Sequence, residues 1–207
     1  MIDLALSIPL LTYVTFMGAA FLLYLTPGAD MMFTIASGMR GGAQAGVAAA
    51  AGISLGVLSH VAIAAAGLAV LLLAYPLAYD AIRYAGAAYL AWLAWKSWTD
   101  ATPPEARSGR AEMMRAFKRG YLTNILNPKV ALFVLAFLPQ FTDPALGPVH
   151  QQIIILGIVL TIGGFVTDGL IGMFAGLAAT QMRRASKWMG KASALVFGGL
   201  AVRIALD

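Results

Sequence analysis

Six apolar runs, each close to the length that a helix needs to cross a bilayer, account for most of this sequence. They lie at residues 4–26, 46–73, 81–95, 121–141, 153–178 and 192–205, and a membrane-spanning helix needs about 20 such residues. Charged residues make up only 11% of the chain, against about 25% in a soluble domain. Because backbone groups in lipid must hydrogen bond within their own segment, we predict an all-α polytopic membrane protein with six transmembrane helices.

The basic residues fall mostly on one side of these predicted spans. If the N-terminus is outside, most of the 14 lysines and arginines are cytoplasmic. These are Arg40, Lys96, Arg107, Arg110, Arg115, Lys118, Arg119, Arg183, Arg184, Lys187 and Lys191. Only Arg83 and Arg203 fall outside, so the positive-inside rule predicts N-out and C-out. The net charge of +5 is then a topology signal beside anionic lipid headgroups, and no nucleic-acid partner is expected. Because Met1-Ile2-Asp3 lacks the basic flank of a signal peptide, we expect the first run to stay in the mature protein.

Each half of the chain carries a proline with a charged residue just after it. The first motif is Thr26-Pro27-Gly28-Ala29-Asp30 and the second is Asn127-Pro128-Lys129. Proline breaks a helix, and a lysine in hydrocarbon is expected only where it is shielded from lipid and used. Thr26 and Asn127 are residue types that cap a new helix, and proline suits its first position. We therefore predict two broken helices with free backbone N–H groups after each break, at residues 28–31 and at residues 129–131.

The two breaks predict an internal repeat within a single integral-membrane domain that covers residues 1–207. Repeat one covers about 1–97 and repeat two about 120–207, with a cytoplasmic linker at about 98–119 that contains Pro103-Pro104. Three spans per half is an odd number, so the halves enter the membrane in opposite senses as an inverted repeat. The second spans carry Gly46, Gly52 and Gly56 in one half and Gly157, Gly164 and Gly172 in the other. Small residues at such spacings let helices approach closely. The symmetry of the two repeats favours a position of Pro27 near the membrane midplane, with residues 3–13 partly in the membrane interface.

Four ionisable residues are predicted at membrane depth: Asp30, His60, Lys129 and Asp168. Insertion of such a group costs at least about 2.5–3.5 kcal/mol, so a functional role is the default hypothesis. Asp30 is a candidate partner for a substrate ammonium, the alternative being a carboxylate that interacts with the dipole of the next helix. Lys129 is a candidate anchor for a substrate carboxylate or a counter-ion to an acid. Its alternatives are a snorkelling side chain and a structural salt bridge to Asp30.

Proton coupling is assigned to Asp30, Asp168 and His60. A carboxyl group in the membrane is a candidate proton carrier, whereas hydrogen bonding between helices is the alternative for Asp168 and the favoured one for His60. Substrate binding is assigned to both breaks, at Thr26, Pro27, Gly28, Asp30, Asn127, Pro128 and Lys129. The amide of Asn127 either contacts substrate or caps the second half-helix. No metal-ligand cluster, phosphate loop or nucleotide fingerprint occurs in the sequence, so no cofactor or metal is expected.

Several of these motifs together resemble the LysE/RhtB family of bacterial amino-acid exporters. The likeness includes Thr26-Pro27-Gly28-Ala29-Asp30, Tyr84-Ala-Gly-Ala-Ala-Tyr-Leu-Ala-Trp92, and Asn127-Pro128-Lys129 followed by Phe137-Leu-Pro-Gln-Phe141. One departure is Ala29, which stands where the family usually has a second proline. The resemblance implies a six-span bacterial inner-membrane exporter of amino acids or their derivatives, driven by the proton-motive force, with no enzymatic activity.

Two other functions keep a place as alternatives. Gly52-Ile-Ser54-Leu-Gly56 matches the nucleophile pattern of serine hydrolases, but it lies mid-span, and Ser54 and His60 are about 600° apart around a helix. A metal-ion exporter or channel of the same fold would need more carboxylates at membrane depth. The substrate, the coupling ion and the oligomeric state stay open, because Gly52-x-x-x-Gly56 and Gly172-x-x-x-Gly176 suit packing within one chain or in a homo-oligomer.

Overall fold

The computed structural model describes residues 1–67 and 109–181 as two continuous segments. It also describes positions 84, 85, 87–89, 91, 92, 94 and 95, and positions 195, 198, 199 and 202. Nine of the 15 positions of the predicted third span are among these residues, but only four of the 14 positions of the predicted sixth span, and residues 98–108 of the predicted linker lie outside them. So do eight of the basic residues that determine the predicted orientation: Arg83, Lys96, Arg107, Arg183, Arg184, Lys187, Lys191 and Arg203.

The described segments are built from helices, and no strand occurs in them. The helices are α1 (Ile2–Ser7), α2 (Leu10–Leu25), α3 (Ala29–Gly41), α4 (Ala43–Ala65), α5 (Arg110–Ile125), α6 (Pro128–Leu132) and α7 (Val149–Gln181). Helix α6 continues into a π-helical turn (Phe133–Phe137) and a 3₁₀ turn (Leu138–Phe141), and a second 3₁₀ turn (Pro144–Leu146) precedes α7. The all-α prediction is thus confirmed for the described residues.

Within the described residues, between two and four membrane spans can be assigned by length and composition. Helices α4 and α7 are each long and apolar enough to cross a bilayer. Two helix pairs qualify only when each is taken as one broken span: α2 with α3, bent by 55°, and α5 with the segment Pro128–Phe141, bent by 57°. Both bends fall at the prolines that the sequence singles out, so the predicted break in each half is confirmed.

The extent of the broken helices differs from the predicted spans. The first predicted span, 4–26, is interrupted at Pro9, and the chain continues as helix beyond Pro27 for the 13 residues of α3. At about 1.5 Å per residue, the 16 residues of α2 measure about 24 Å and α3 about 20 Å. Neither half alone crosses a hydrocarbon core of about 30 Å. Helix α3 was not predicted as part of a span because Asp30 and Arg40 interrupt its apolar run. Arg110 and its neighbours interrupt the apolar run at the start of α5 in the same way.

Helix α4 lies at the centre and contacts α3, α5 and α7. Glycines make this possible: a Cβ atom added to Gly46 would lie 2.5 Å from the carbonyl carbon of Gly172 on α7. On the face toward α5, a Cβ added to Gly56 would lie 2.5 Å from Oδ1 of Asn124. Real Cβ atoms do not come this close to other heavy atoms. The prediction that small residues bring these helices together is therefore confirmed at Gly46, Gly56 and Gly172.

Two buried apolar clusters lie on either side of the breaks. The first cluster joins α2, the second half of α4, the Pro128–Phe141 segment and the first half of α7, through Phe16, Val57, Val61, Val134, Leu138, Leu156 and Leu160. The rings of Phe133, Phe137 and Phe141 pack against Phe16 or one another, with centroids 4.9–6.2 Å apart. The second cluster joins α3, the first half of α4 and α5, through Ala29, Phe33, Ala36, Ala45, Ala49, Ile53 and Ala116. Each break therefore joins a helix of one cluster to a helix of the other.

Candidate functional site

Residues from both breaks line a single cavity that is partly open to the surroundings. Its polar lining consists of Tyr24, Thr26, Asp30, Ser54, Asn127, Lys129, Thr161 and Asp168. Its apolar lining includes Leu23, Ile53, Val57, Val130 and Leu160. The cavity volume is only about 40 Å³, which is room for a few waters. In this conformation the cavity is too narrow for an amino acid.

Most of the predicted site residues meet in this cavity. Thr26, Gly28, Asp30, Asn127, Lys129 and Asp168 line it together. The two prolines form the breaks but do not contribute to the lining; Pro27 is exposed and Pro128 is buried. His60 is buried outside the lining, one layer behind Asp30.

The first break shows that one capping prediction is wrong. Helix α3 begins after Gly28, which is extended (φ −157°, ψ −176°), and no side chain caps it. The Thr26 hydroxyl instead donates to Leu22 O at 2.6 Å, because a threonine near a helix end readily bonds back to the preceding turn. The first turn of α3 therefore keeps amide groups without a side-chain acceptor, at the wall of the cavity.

The second break follows the capping prediction for Asn127. Its Oδ1 accepts a hydrogen bond from the backbone N–H of Lys129 at 3.1 Å, and Pro128 occupies the first turn. The N–H of Ala131 donates to Asn127 O at 3.1 Å. The prediction that the N–H groups of residues 129–131 are free is consequently wrong for Lys129 and Ala131, because the cap and the first helical bond use them.

The Lys129 side chain crosses from the second break to the first. Its Nζ donates to Leu23 O at 2.8 Å and to Thr26 O at 2.7 Å. The ammonium passes close to Gly28, where an added Cβ would lie 3.3 Å from Nζ. Lys129 therefore does not snorkel to the membrane surface, and its charge attracts the carboxyl groups of both Asp30 and Asp168.

Asp30 is held by a residue that the sequence analysis did not single out. Asn124 is fully buried, and its Nδ2 donates to Asp30 Oδ2 at 2.8 Å. Asn127 lies near the same carboxyl group, yet Asp30 Oδ1 is buried without a hydrogen bond from the described residues. On the other side, Nε2 of His60 lies 3.3 Å from Asn124 O. Since a carbonyl only accepts, this contact requires the proton on Nε2.

Asp168 of α7 lines the same cavity as Asp30. The two carboxyl groups repel each other, and the Lys129 ammonium attracts both. Tyr24 lies beside Asp168, and its hydroxyl donates to Leu160 O at 2.6 Å. The Tyr24 ring packs against Gly163 and Gly164, where an added Cβ would come within 3.0 Å and 3.4 Å of it. With both acids ionised, these three charged groups sum to −1.

Sequence reasoning missed Tyr24, Asn124 and Thr161, and gave Ser54 a role only in a rival function. Asn124 was detectable as a polar residue at membrane depth, three positions before Asn127 and so on the same side of the chain. The Ser54 hydroxyl lines the cavity but donates to Ala50 O at 2.9 Å. His60 contacts Asn124 through Nε2 and is not among the residues that line the cavity with Ser54.

Comparison with known proteins gives a consistent family assignment. The family model described as "LysE type translocator" matches residues 21–207. A leucine efflux protein of Enterobacter sp. (strain 638) is 30% identical over 202 residues, covering 94% of this chain and 95% of the relative. An uncharacterized membrane protein of Pseudomonas aeruginosa is 31% identical over 204 residues (94% and 93%), and another of Vibrio cholerae is 30% identical over 156 residues (74% and 76%).

No solved structure matches the chain significantly. The family match covers most of the sequence, including both breaks, Asn124 and Asp168. It confirms the resemblance drawn from the proline motifs, and it confirms that the chain is not an enzyme. The protein belongs to the LysE-type translocator family.

Proposed function

We propose that this protein exports amino acids with apolar side chains from the bacterial cytoplasm in exchange for protons. The observation that carries the proposal is the single cavity between the two breaks, in which two carboxyl groups and one ammonium group face an apolar wall. A zwitterion with an aliphatic side chain complements such a lining. The leucine efflux protein among the relatives supports the same class of substrate.

The acidic and basic groups of the cavity bind opposite ends of the zwitterionic substrate. The substrate ammonium binds Asp30, whose Oδ1 lacks a hydrogen bond from the described residues, with Asp168 on the opposite wall. The substrate carboxylate binds near the Lys129 ammonium and the first turn of α3, which has no side-chain cap. Thr26, Pro27 and Gly28 shape one end of the cavity, and Asn127 and Pro128 shape the other. The aliphatic side chain lies against Ile53, Val57, Val130 and Leu160.

Proton coupling follows from competition for the same carboxylates. A protonated Asp30 or Asp168 no longer attracts a substrate ammonium, so a proton from outside favours release of the substrate. A proton also neutralises the net charge of −1, whereas a zwitterion leaves it unchanged. His60 belongs to this system only through Asn124, which links its ring to Asp30. Because the cavity holds only a few waters here, substrate binding requires the halves to move apart, as in rocking-bundle transport.

We propose six spans in two inverted repeats, at 1–97 and 120–207, for the whole chain. The near-equal bends of 55° and 57° support the repeat. Arg40 of α3 and Arg115 of α5 both lie near Arg119 of α5, so basic residues of α3 and α5 share one end of the molecule. Leu4 lies beside Gly147, so α1 contacts the loop before α7. The positive-inside rule then favours an N-out, C-out protein of the inner membrane.

The decisive experiment is efflux of labelled amino acids from cells that express the protein, with and without a protonophore. We expect efflux of leucine-like substrates that collapses with the proton gradient. Asp30→Asn should abolish it, and the exposed Asp3→Asn is the matched control. Efflux that persists in the protonophore would refute proton coupling. Wild-type transport by a well-inserted Asp30→Asn protein would refute the site.

A further inference from the structure

At the first break, α2 ends with two backbone carbonyl groups, those of Leu23 and Thr26, that the helix itself cannot supply with hydrogen-bond donors. Leu23 O would normally accept from the N–H of residue 27, but Pro27 has none. Thr26 has left the helical conformation (φ −70°, ψ 115°), which turns its carbonyl out of the helix ladder. The negative end of the α2 dipole adds to the field at this point. The break is therefore built to hold positive charge.

The cation that occupies this position comes from the other half of the chain. Lys129 Nζ lies 2.8 Å from Leu23 O and 2.7 Å from Thr26 O, and the attraction of Asp30 and Asp168 reaches the same ammonium. Carbonyl oxygens of broken helices are the usual ligands of coupling cations in secondary transporters. Here the corresponding carbonyl oxygens bind the ammonium group of a side chain.

We propose that the carbonyls of Leu23 and Thr26 form a monovalent-cation site, which the ammonium of Lys129 fills as a tethered cation. The inference rests on the proposed transport function and adds to it the class of ion that the first break binds. The tether holds the two breaks together without any dissolved sodium or potassium ion. Without the ammonium, the site has two unpaired carbonyls beside two acids and should accept a small cation from solution.

The test uses variants that separate the charge of Lys129 from its volume. Lys129→Ala removes the ammonium and leaves space for a small cation, whereas Lys129→Met removes the charge but keeps a side chain of similar length. Lys118→Ala, at an exposed lysine on α5, is the matched control. Thermal unfolding of each purified protein is measured in choline chloride, then in sodium, potassium or methylammonium chloride at equal ionic strength.

Lys129→Ala should unfold several degrees below the wild type in choline chloride. Methylammonium, or one of the alkali cations, should restore part of this loss in a saturable manner. Lys129→Met should be destabilised but should not respond, because its methyl group blocks the site. The wild type and Lys118→Ala should change little among the salts. A Lys129→Ala protein as stable as the wild type, or one that responds to the cations no more than Lys129→Met does, would overturn the proposal.

If Lys129→Ala does not accumulate in membranes, the same question is asked during expression. Methylammonium in the growth medium should raise the inserted amount of Lys129→Ala, measured with a fluorescent fusion, but not that of Lys129→Met; equal amounts would overturn the cation site. This readout contains no substrate. Failure of the wild type to export any amino acid would refute the proposed function, while the stability measurement alone decides the cation site.

Discussion

The contact between Gly56 and Asn124 can be tested with a single added methyl group. In Gly56→Ala, the new Cβ would lie 2.5 Å from Oδ1, 2.8 Å from Cβ and 2.9 Å from Cγ of Asn124. Asn124 is fully buried, so it has no solvent-filled space into which to move. It must shift by several tenths of an ångström, away from α4. Its 2.8 Å hydrogen bond to Asp30 then lengthens or breaks.

The size of the effect follows from three contributions. A lost hydrogen bond to a charged group costs about 1.5–3 kcal/mol, and an overpacked core costs about 1–3 kcal/mol. The helix propensity of alanine over glycine offsets about 1 kcal/mol of this. The net destabilisation is roughly 1.5–5 kcal/mol. For a chain of this length, that corresponds to a melting temperature lowered by at least about 3 °C.

The assay compares thermal unfolding and substrate efflux for Gly56→Ala and Gly18→Ala. Gly18 lies in α2, is exposed, and has no heavy atom within 4 Å of an added Cβ. Gly18→Ala should therefore leave stability and efflux unchanged or raise stability slightly, and Gly56→Ala should lower both. Equal behaviour of the two variants would refute the close approach of α4 and α5, and with it the positioning of Asp30 by Asn124.

Two further predictions concern the second break and α7. Asn127→Ala removes the Oδ1 cap of Lys129 N–H and should lower stability by about 0.5–2 kcal/mol, measured by thermal unfolding; Asn127→Ser should recover most of the loss, and an unchanged stability in Asn127→Ala would show that the cap contributes nothing. Asp168→Asn removes a carboxyl group of the cavity. The variant should still exchange substrate across vesicle membranes, but an imposed proton gradient should no longer accelerate transport. Gradient-driven efflux at the wild-type rate in Asp168→Asn would exclude this residue from proton coupling.

The sequence predicted the parts of the fold whose causes are local. Proline in an apolar run gave both breaks, and paired glycines gave the approach of α4 to α7. Thr26 and Asn127 show the limit of local pattern: both precede proline, yet only Asn127 caps the next helix. The difference lies in where the next helix begins: α6 begins at Pro128, directly after Asn127, whereas α3 begins at Ala29, after the extended Gly28, so Thr26 is not at its N-cap position.

The site is formed by contacts between residues far apart in the sequence, which sequence patterns do not predict. The bond from Asn124 to Asp30 joins residues 94 positions apart, and the bonds of Lys129 join residues 103 and 106 positions apart. The ionisable residues at membrane depth could be identified from their cost in lipid. Their partners could not, because Lys129 binds backbone oxygens, which every residue type carries.

That use of backbone oxygens has an evolutionary consequence. The side chains at positions 23 and 26 can change without removing the acceptors of Lys129, so the joint imposes no matched substitutions on the two halves. Sequence covariation between relatives should therefore give no signal at this contact, although it links the two breaks directly. Halves taken from two different members of the family should still meet at this joint, provided that the proline of the first half and the lysine of the second are kept.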